Sequence, residues 1–169
     1  MADLKSFGWE TTSNVGVYVW IPRRKHLNPF FPEHYIYIGS ATKFGWGLSG
    51  RKYQRQQGKD GSSFTLRHRI RQQSLTKKGD FVALLSKQLD TYEPHEIVET
   101  RRLLVLAEAV LTIWLGALSS GKPELYQERR SLRCLGPWNV EDIPYQGLCS
   151  HNPLSKDITY LSGYEVGTA

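Results

Sequence analysis

Between His95 and Leu118 the chain reads HEIVETRRLLVLAEAVLTIWLGAL, and this stretch constrains the fold more than any other. Pro94, just ahead of it, suits the first turn of a helix, where its missing N–H costs nothing. The first half of the segment is amphipathic. The second half is apolar nearly all round, which predicts a helix buried within the protein. A membrane span is excluded here: the apolar run Leu103 to Leu118 contains Glu108 and falls short of the ~20 residues that crossing requires. Such a helix needs another layer to pack on, and the rest of the chain must supply it.

Strands in the first half of the chain fit that need. Asn14 to Pro22 (NVGVYVWIP) is rich in β-branched and aromatic residues and closes at a proline. Glu33 to Gly39 (EHYIYIG) alternates Tyr35 and Tyr37 with Ile36 and Ile38. Between them RRKHLNPFFPE holds Pro29 and Pro32 and is expected to be the loop of a long hairpin. Gly45, Gly47 and Gly50 lead into a short helix near Leu48 to Gln57, which GKDG at Gly58 to Gly61 breaks. Ser62 or Ser63 caps a second helix running to about Gln73. Asp80 to Ser86 (DFVALLS) reads as a strand, with a helix as the alternative.

At 169 residues with 40% hydrophobic and 12% aromatic content, the chain is long and apolar enough for one ordered domain. The expected class is α/β: a small, mainly antiparallel three-stranded sheet flanked by helices over residues 1–121. An irregular C-terminal extension, 122–169, carries Pro123, Pro137, Pro144 and Pro153 and packs on the same domain through Trp138 and Tyr145. MADLKSFGWETT lacks the apolar core of a signal peptide, and two cysteines are too few for a disulfide framework. An intracellular protein is expected, nuclear or cytoplasmic.

The net charge is +6, and its distribution is uneven. Arg51, Lys52, Arg55, Lys59, Arg67, Arg69, Arg71, Lys77 and Lys78 face only Asp60 in sequence. A merely solvated helix face carries mixed signs, whereas this cation run is the footprint of phosphate binding. Nucleic acid is therefore the expected partner. Glu108 is the one charged group between Leu103 and Leu118. On a buried helix its carboxylate has to be protonated, paired with an arginine or bound to a metal. Cys134, Cys149 and His151 lack the fourth ligand and paired spacing of a zinc site, so buried free thiols are favoured.

Two tripeptides, GVY at Gly16 to Tyr18 and YIG at Tyr37 to Gly39, lie on neighbouring strands. An arginine in a basic helix follows, and then the lone glutamate within AEAVL. That order resembles the GIY-YIG nuclease superfamily over roughly Gly16 to Leu118. The resemblance implies an endonuclease that hydrolyses phosphodiester bonds, with DNA favoured over RNA. By it, Tyr18 positions or deprotonates the attacking water and Tyr37 lines the same pocket. Gly39 permits a close turn of the backbone beneath the site. Arg51 of GLSGR holds the scissile phosphate, with Arg67 as its rival. Glu108 carries one divalent metal ion, Mg or Mn, that stabilises the leaving oxygen. Where many members have a histidine one helical turn past the arginine, this chain has Arg55.

The chemistry is coherent, since phosphodiester hydrolysis needs an activated nucleophile, a cation on the non-bridging oxygens and help for the leaving group. A tyrosine with a reference pKa near ~10 acts as a base only beside a cation or metal. Without Glu108, Tyr18 and Tyr37 would read as ordinary cross-strand packing. The alternatives are a domain of the same fold that binds nucleic acid without cutting, and a protein-interaction module using the aromatic tail. A protein partner or neighbouring domain would supply targeting.

If the cation run tracks a phosphate backbone, log K for binding falls with log salt, by ~0.7 to 0.9 per phosphate contacted. A titration across salt concentrations measures that slope. Changing Lys77 and Lys78 to glutamate is expected to weaken binding to every sequence about equally. Salt-independent binding would point to the protein-interaction class.

Overall fold

The computed structural model describes residues 14–24, 34–43, 46–57, 75–88, 93–119, 143 and 145–149. Strand β1 (Asn14–Arg24) lies at the centre of the architecture. It pairs antiparallel with β2 (His34–Ala41) on one side and with β3 (Leu75–Gln88) on the other. Helix α1 (Gly47–Gln57) follows β2, and helix α2 (Pro94–Trp114) follows β3. A short strand β4 (Tyr145–Gly147) pairs parallel with β2, giving a sheet of order β3-β1-β2-β4.

Both faces of β1 are covered, and its alternation sorts them. Tyr18 and Trp20 join Tyr35, Ala41, Leu48 and Leu148 in a cluster beneath α1. Val15 and Val17 join Ile36, Ile38, Leu104 and Leu118 in a second cluster beneath α2. The arrangement is three-layered: a helix, a twisted sheet and a helix.

The observed fold is α/β, and it departs from the sequence reading in four places. The sheet has four strands and is mixed, because Tyr145–Gly147, expected to be irregular, adds a parallel edge. Three residues are too few for alternation to register in a sequence. Strand β3 begins at Leu75, earlier than Asp80, because its polar lead-in pairs backbone to backbone with the end of β1, Gly79 opposite Pro22. Nor is the second half of α2 buried all round. Thr100, Leu104, Val105, Ala109 and Thr112 face inward, while Leu103, Leu106, Val110 and Trp114 are about half exposed. A helix laid on a sheet hides one face only. Glu108 is half-buried rather than enclosed, so its desolvation is milder than a buried helix implied.

The expected hairpin loop 25–33, the helix near 62–73 and most of the extension 122–169 lie outside the described residues. The part of that extension that is described ties down α2. Tyr145 Oη donates to the carbonyl of Leu115 at 2.6 Å, satisfying a carbonyl at the helix C-terminus. Cys149 and Leu118 form a parallel bridge beside it.

The glycine of GVY has a steric reason. A methyl group at Gly16 would run into the carbonyl of Leu85 and come within 2.9 Å of Leu48 Cδ1. Here β3 makes a bulge, its register shifting between Val17 and Tyr18 of β1, and α1 docks through Leu48. Gly16→Ala is therefore expected to destabilise the protein by ~2 kcal/mol or more, since a backbone carbonyl must move. Thermal unfolding followed by circular dichroism measures this, and an unchanged melting temperature would refute the packing account.

Candidate functional site

Four elements deliver the residues singled out from sequence. Tyr18 comes from β1 and Tyr37 from β2; Tyr18 is buried and Tyr37 half-buried. Arg51 comes from α1 and Glu108 from α2, both half-buried. The register sets Tyr18 opposite Gly39 and Trp20 opposite Tyr37, so the tyrosines sit diagonally on one face with ring centroids 6.3 Å apart. The bare Cα of Gly39 makes this arrangement fit. A methyl group there would stand 2.8 Å from Tyr18 Oη and 2.7 Å from Tyr37 Cε1. The bulge in β3 falls beside Tyr18, and Phe81 of β3 stacks on its ring at 4.3 Å.

Arg55 occupies the centre of the site. Sequence placed it among the phosphate-contacting cations, yet it is only 5% exposed and turns inward. Its Nη2 donates to Tyr18 Oη at 3.1 Å. Its guanidinium carbon lies 4.3 Å from the Tyr37 ring centroid and 5.3 Å from that of Trp20. The aromatic faces present negative potential to the cation in a setting with little water. Helical periodicity explains the position: Arg55 is two turns beyond Leu48, on the face that α1 buries. That spacing was present in the sequence, but counting cations along the run concealed it.

Charge couples the set. Burial raises the pKa of Tyr18 above its ordinary value of 10.0, against the opposing fields of Arg55 and Arg51 and the hydrogen bond from Arg55; Glu108 adds to the rise. Burial likewise raises Tyr37, with smaller contributions from Tyr18 and Glu108. Both tyrosines are neutral phenols at physiological pH. The cations reduce the cost of a phenolate at Tyr18 without overcoming burial. Of the two expected roles of Tyr18, positioning a water or deprotonating it, the neutral phenol suits the first. Its oxygen accepts from Arg55, and its O–H remains able to donate.

Cys149 lies in the cluster beneath α2, against Ile38 of β2. Its Sγ accepts from Ile38 N at 3.2 Å and donates to Ile38 O at 3.4 Å, and burial pushes its pKa up to about 12. The thiol is buried and free, an inert packing group. Arg51 Nη1 donates to Gln54 Oε1 at 3.3 Å, within its own helix. Lys52 is half-buried on α1, and Lys77 and Lys78 lie on β3. Lys59, Arg67, Arg69, Arg71, Cys134 and His151 are outside the described residues. Among the described residues no group of three or more His, Cys, Asp and Glu side chains gathers as a metal site. A magnesium ion needs no such group, because one or two carboxylates with water and substrate phosphates suffice. The carboxylate of Glu108, within electrostatic reach of Tyr18 and Tyr37, is a donor of that kind.

No protein-family model, curated protein or solved structure matches the chain.

Replacing Arg55 with methionine keeps the aliphatic stem and removes both the cation and its hydrogen bond. Tyr18 is then expected to ionise at still higher pH, because two of the three influences that oppose burial are lost and only the field of Arg51 remains. Its folded-state pKa lies above the unfolded value, so its contribution to stability is intact below pH ~10 and lost as pH rises through the folded-state value. Ultraviolet titration of phenolate, taken as the difference from Tyr18→Phe, reads the shift. No change on removing Arg55 would refute the coupling.

Proposed function

We propose that the protein is a metal-dependent endonuclease that hydrolyses phosphodiester bonds in nucleic acid, with DNA the favoured substrate. One observation carries the reading. Tyr18, Tyr37, Arg51 and Glu108 come from four separate elements, Tyr18 and Tyr37 share one face of the sheet with ring centroids 6.3 Å apart, and the charges of Arg51 and Glu108 both act on Tyr18. The resemblance to the GIY-YIG superfamily supports it through those same residues.

On this reading each group has a task. Arg51 supplies a cation to the non-bridging oxygens of the scissile phosphate, where charge grows in the transition state. Tyr18, held by Arg55 through its lone pair, offers its O–H to orient the attacking water or a phosphate oxygen. Tyr37 forms the aromatic wall that fixes Arg55. Glu108 would hold a single Mg or Mn ion, which when bound stabilises the leaving oxygen as a Lewis acid. Water attacks phosphorus and releases one proton to solvent, the bond to the leaving oxygen breaks, and that oxygen takes up a proton from solvent. A domain that binds nucleic acid without cutting is the competing reading, favoured by one observation: burial outweighs the cations at Tyr18.

Purified protein incubated with duplex, branched and single-stranded substrates in Mg, Mn or EDTA separates the two. Cleavage that EDTA stops is expected; binding without cleavage in either metal would leave the binding module. Glu108→Gln is expected to lose cleavage at least a hundredfold while retaining nucleic-acid affinity and melting temperature. A large thermal loss with metal-independent activity would instead make Glu108 structural. Arg51→Ala is expected to lose single-turnover cleavage even at saturating enzyme, by ~3 kcal/mol or more in the barrier. Arg67→Ala is expected to recover as enzyme is added, and the reverse result would move the catalytic arginine to Arg67.

A further inference from the structure

Helix α1 turns Leu48 and Arg55 toward the sheet and leaves a second face outside. On that outer side stand Trp46, the residue just ahead of the helix and 45% exposed, and Tyr53, 51% exposed. They are seven residues apart, two helical turns, with Gly50 between them at the four-and-three spacing of one stripe. Large aromatics on a water-facing stripe need a reason when the same helix has an apolar face already used in the core. Their surroundings suggest one.

The indole of Trp46 rests on Gly50. A methyl group at Gly50 would lie 2.6 Å from Trp46 Cε3 and 3.1 Å from Cδ2, so the absence of a side chain lets the ring lie against the helix. The backbone of Trp46 is fixed as well, its carbonyl accepting from Gly50 N at 2.7 Å. Lys43 Nζ stands 5.7 Å from the centroid of the indole. Arg51 and Lys52 flank the stripe, and α1 contains no acidic residue. A held indole and an exposed phenol bordered by cations, with no acid on the helix, are the ingredients of a surface that stacks bases and tracks phosphates. Along the helix axis Trp46 and Tyr53 are about 10 Å apart, much farther than successive stacked bases at about 3.4 Å. Each ring is thus placed to take a separate base, which requires bases out of a regular stack.

We infer that the Trp46–Gly50–Tyr53 stripe of α1 is a stacking platform for unpaired bases, making single-stranded or locally opened nucleic acid the ligand class of this surface. The inference deepens the nuclease reading, because Arg51 on the same helix is the residue assigned to the scissile phosphate. A strand lying on the stripe would pass that arginine, whose charge is felt at Tyr18. A paired duplex presents base edges rather than base faces and gains little from either ring.

Binding in EDTA tests the platform without cleavage. The full chain is titrated against fluorescein-labelled oligothymidylate and against a duplex of equal length, at one fixed salt concentration. Trp46→Ala and Tyr53→Ala are each expected to weaken single-strand binding about tenfold and duplex binding less than about twofold. Trp46→Phe retains most of the affinity, and Gly50→Ala, which displaces the ring without deleting it, falls between. Melting temperatures of the alanine variants stay at the wild-type value, because both side chains are exposed. Equal losses on the two substrates, or no loss on either, would overturn the platform. An oligouridylate arm distinguishes the source: tighter binding of the deoxy strand names DNA, and of the ribo strand, RNA, with the aromatic loss required in whichever binds. Failure of the nuclease reading looks different, as aromatic-dependent binding with no cleavage in Mg or Mn. Cleavage with binding unchanged in both alanine variants would sink the platform alone.

Discussion

A guanidinium held out of water by aromatic rings organises this protein. Arg55 lies within cation–π range of Tyr18, Trp20 and Tyr37 and donates to the Tyr18 hydroxyl, so one side chain joins α1 to β1 and β2. Removing a charge from solvent is unfavourable unless the surroundings return what water gave, and here π-faces and a phenolic oxygen return part of it. The same contacts that seat α1 on the sheet therefore fix the orientation of Tyr18. Packing and site geometry are one arrangement in this region, and Gly39 and Gly16 are the empty spaces that let it close.

Such a site responds to charge in a particular way. Glu108 raises both tyrosines while Arg51 and Arg55 oppose the rise at Tyr18, so its electrostatic environment is a balance among three elements. An anion arriving beside Arg51 or a divalent cation beside Glu108 would tilt that balance in opposite senses. The ligand-free state keeps the phenol protonated.

The legible parts of the sequence were those written in periodicity. Alternating Tyr and Ile gave β2, the glycine-broken basic stretch gave α1, and the long helix was found within a few residues of its ends. The pairing of GVY with YIG on adjacent strands could be read because both triplets interrupt β-patterned segments. What could not be read depends on partners distant in the chain. β4 takes its structure from the edge of β2, and the early start of β3 from the end of β1. Arg55 looked like one cation among many, since a count along the chain does not record which side of a helix each charge occupies. The exposed stripe of α2 was hidden for the same reason, an apolar composition having no direction until the helix lies on something.

The parallel pairing of Tyr145–Gly147 with His34–Ile36 has a consequence for how the chain acquires its structure. More than a hundred residues separate the two strands, so their contact is among the costliest in chain entropy and forms slowly. During synthesis β1, β2 and β3 all leave the ribosome before β4 exists. In that interval the outer edge of β2 presents unpaired N–H and C=O groups, a template that another nascent chain can join. The last short strand thus covers the first three residues of the β2 edge only after the rest of the sheet has been made.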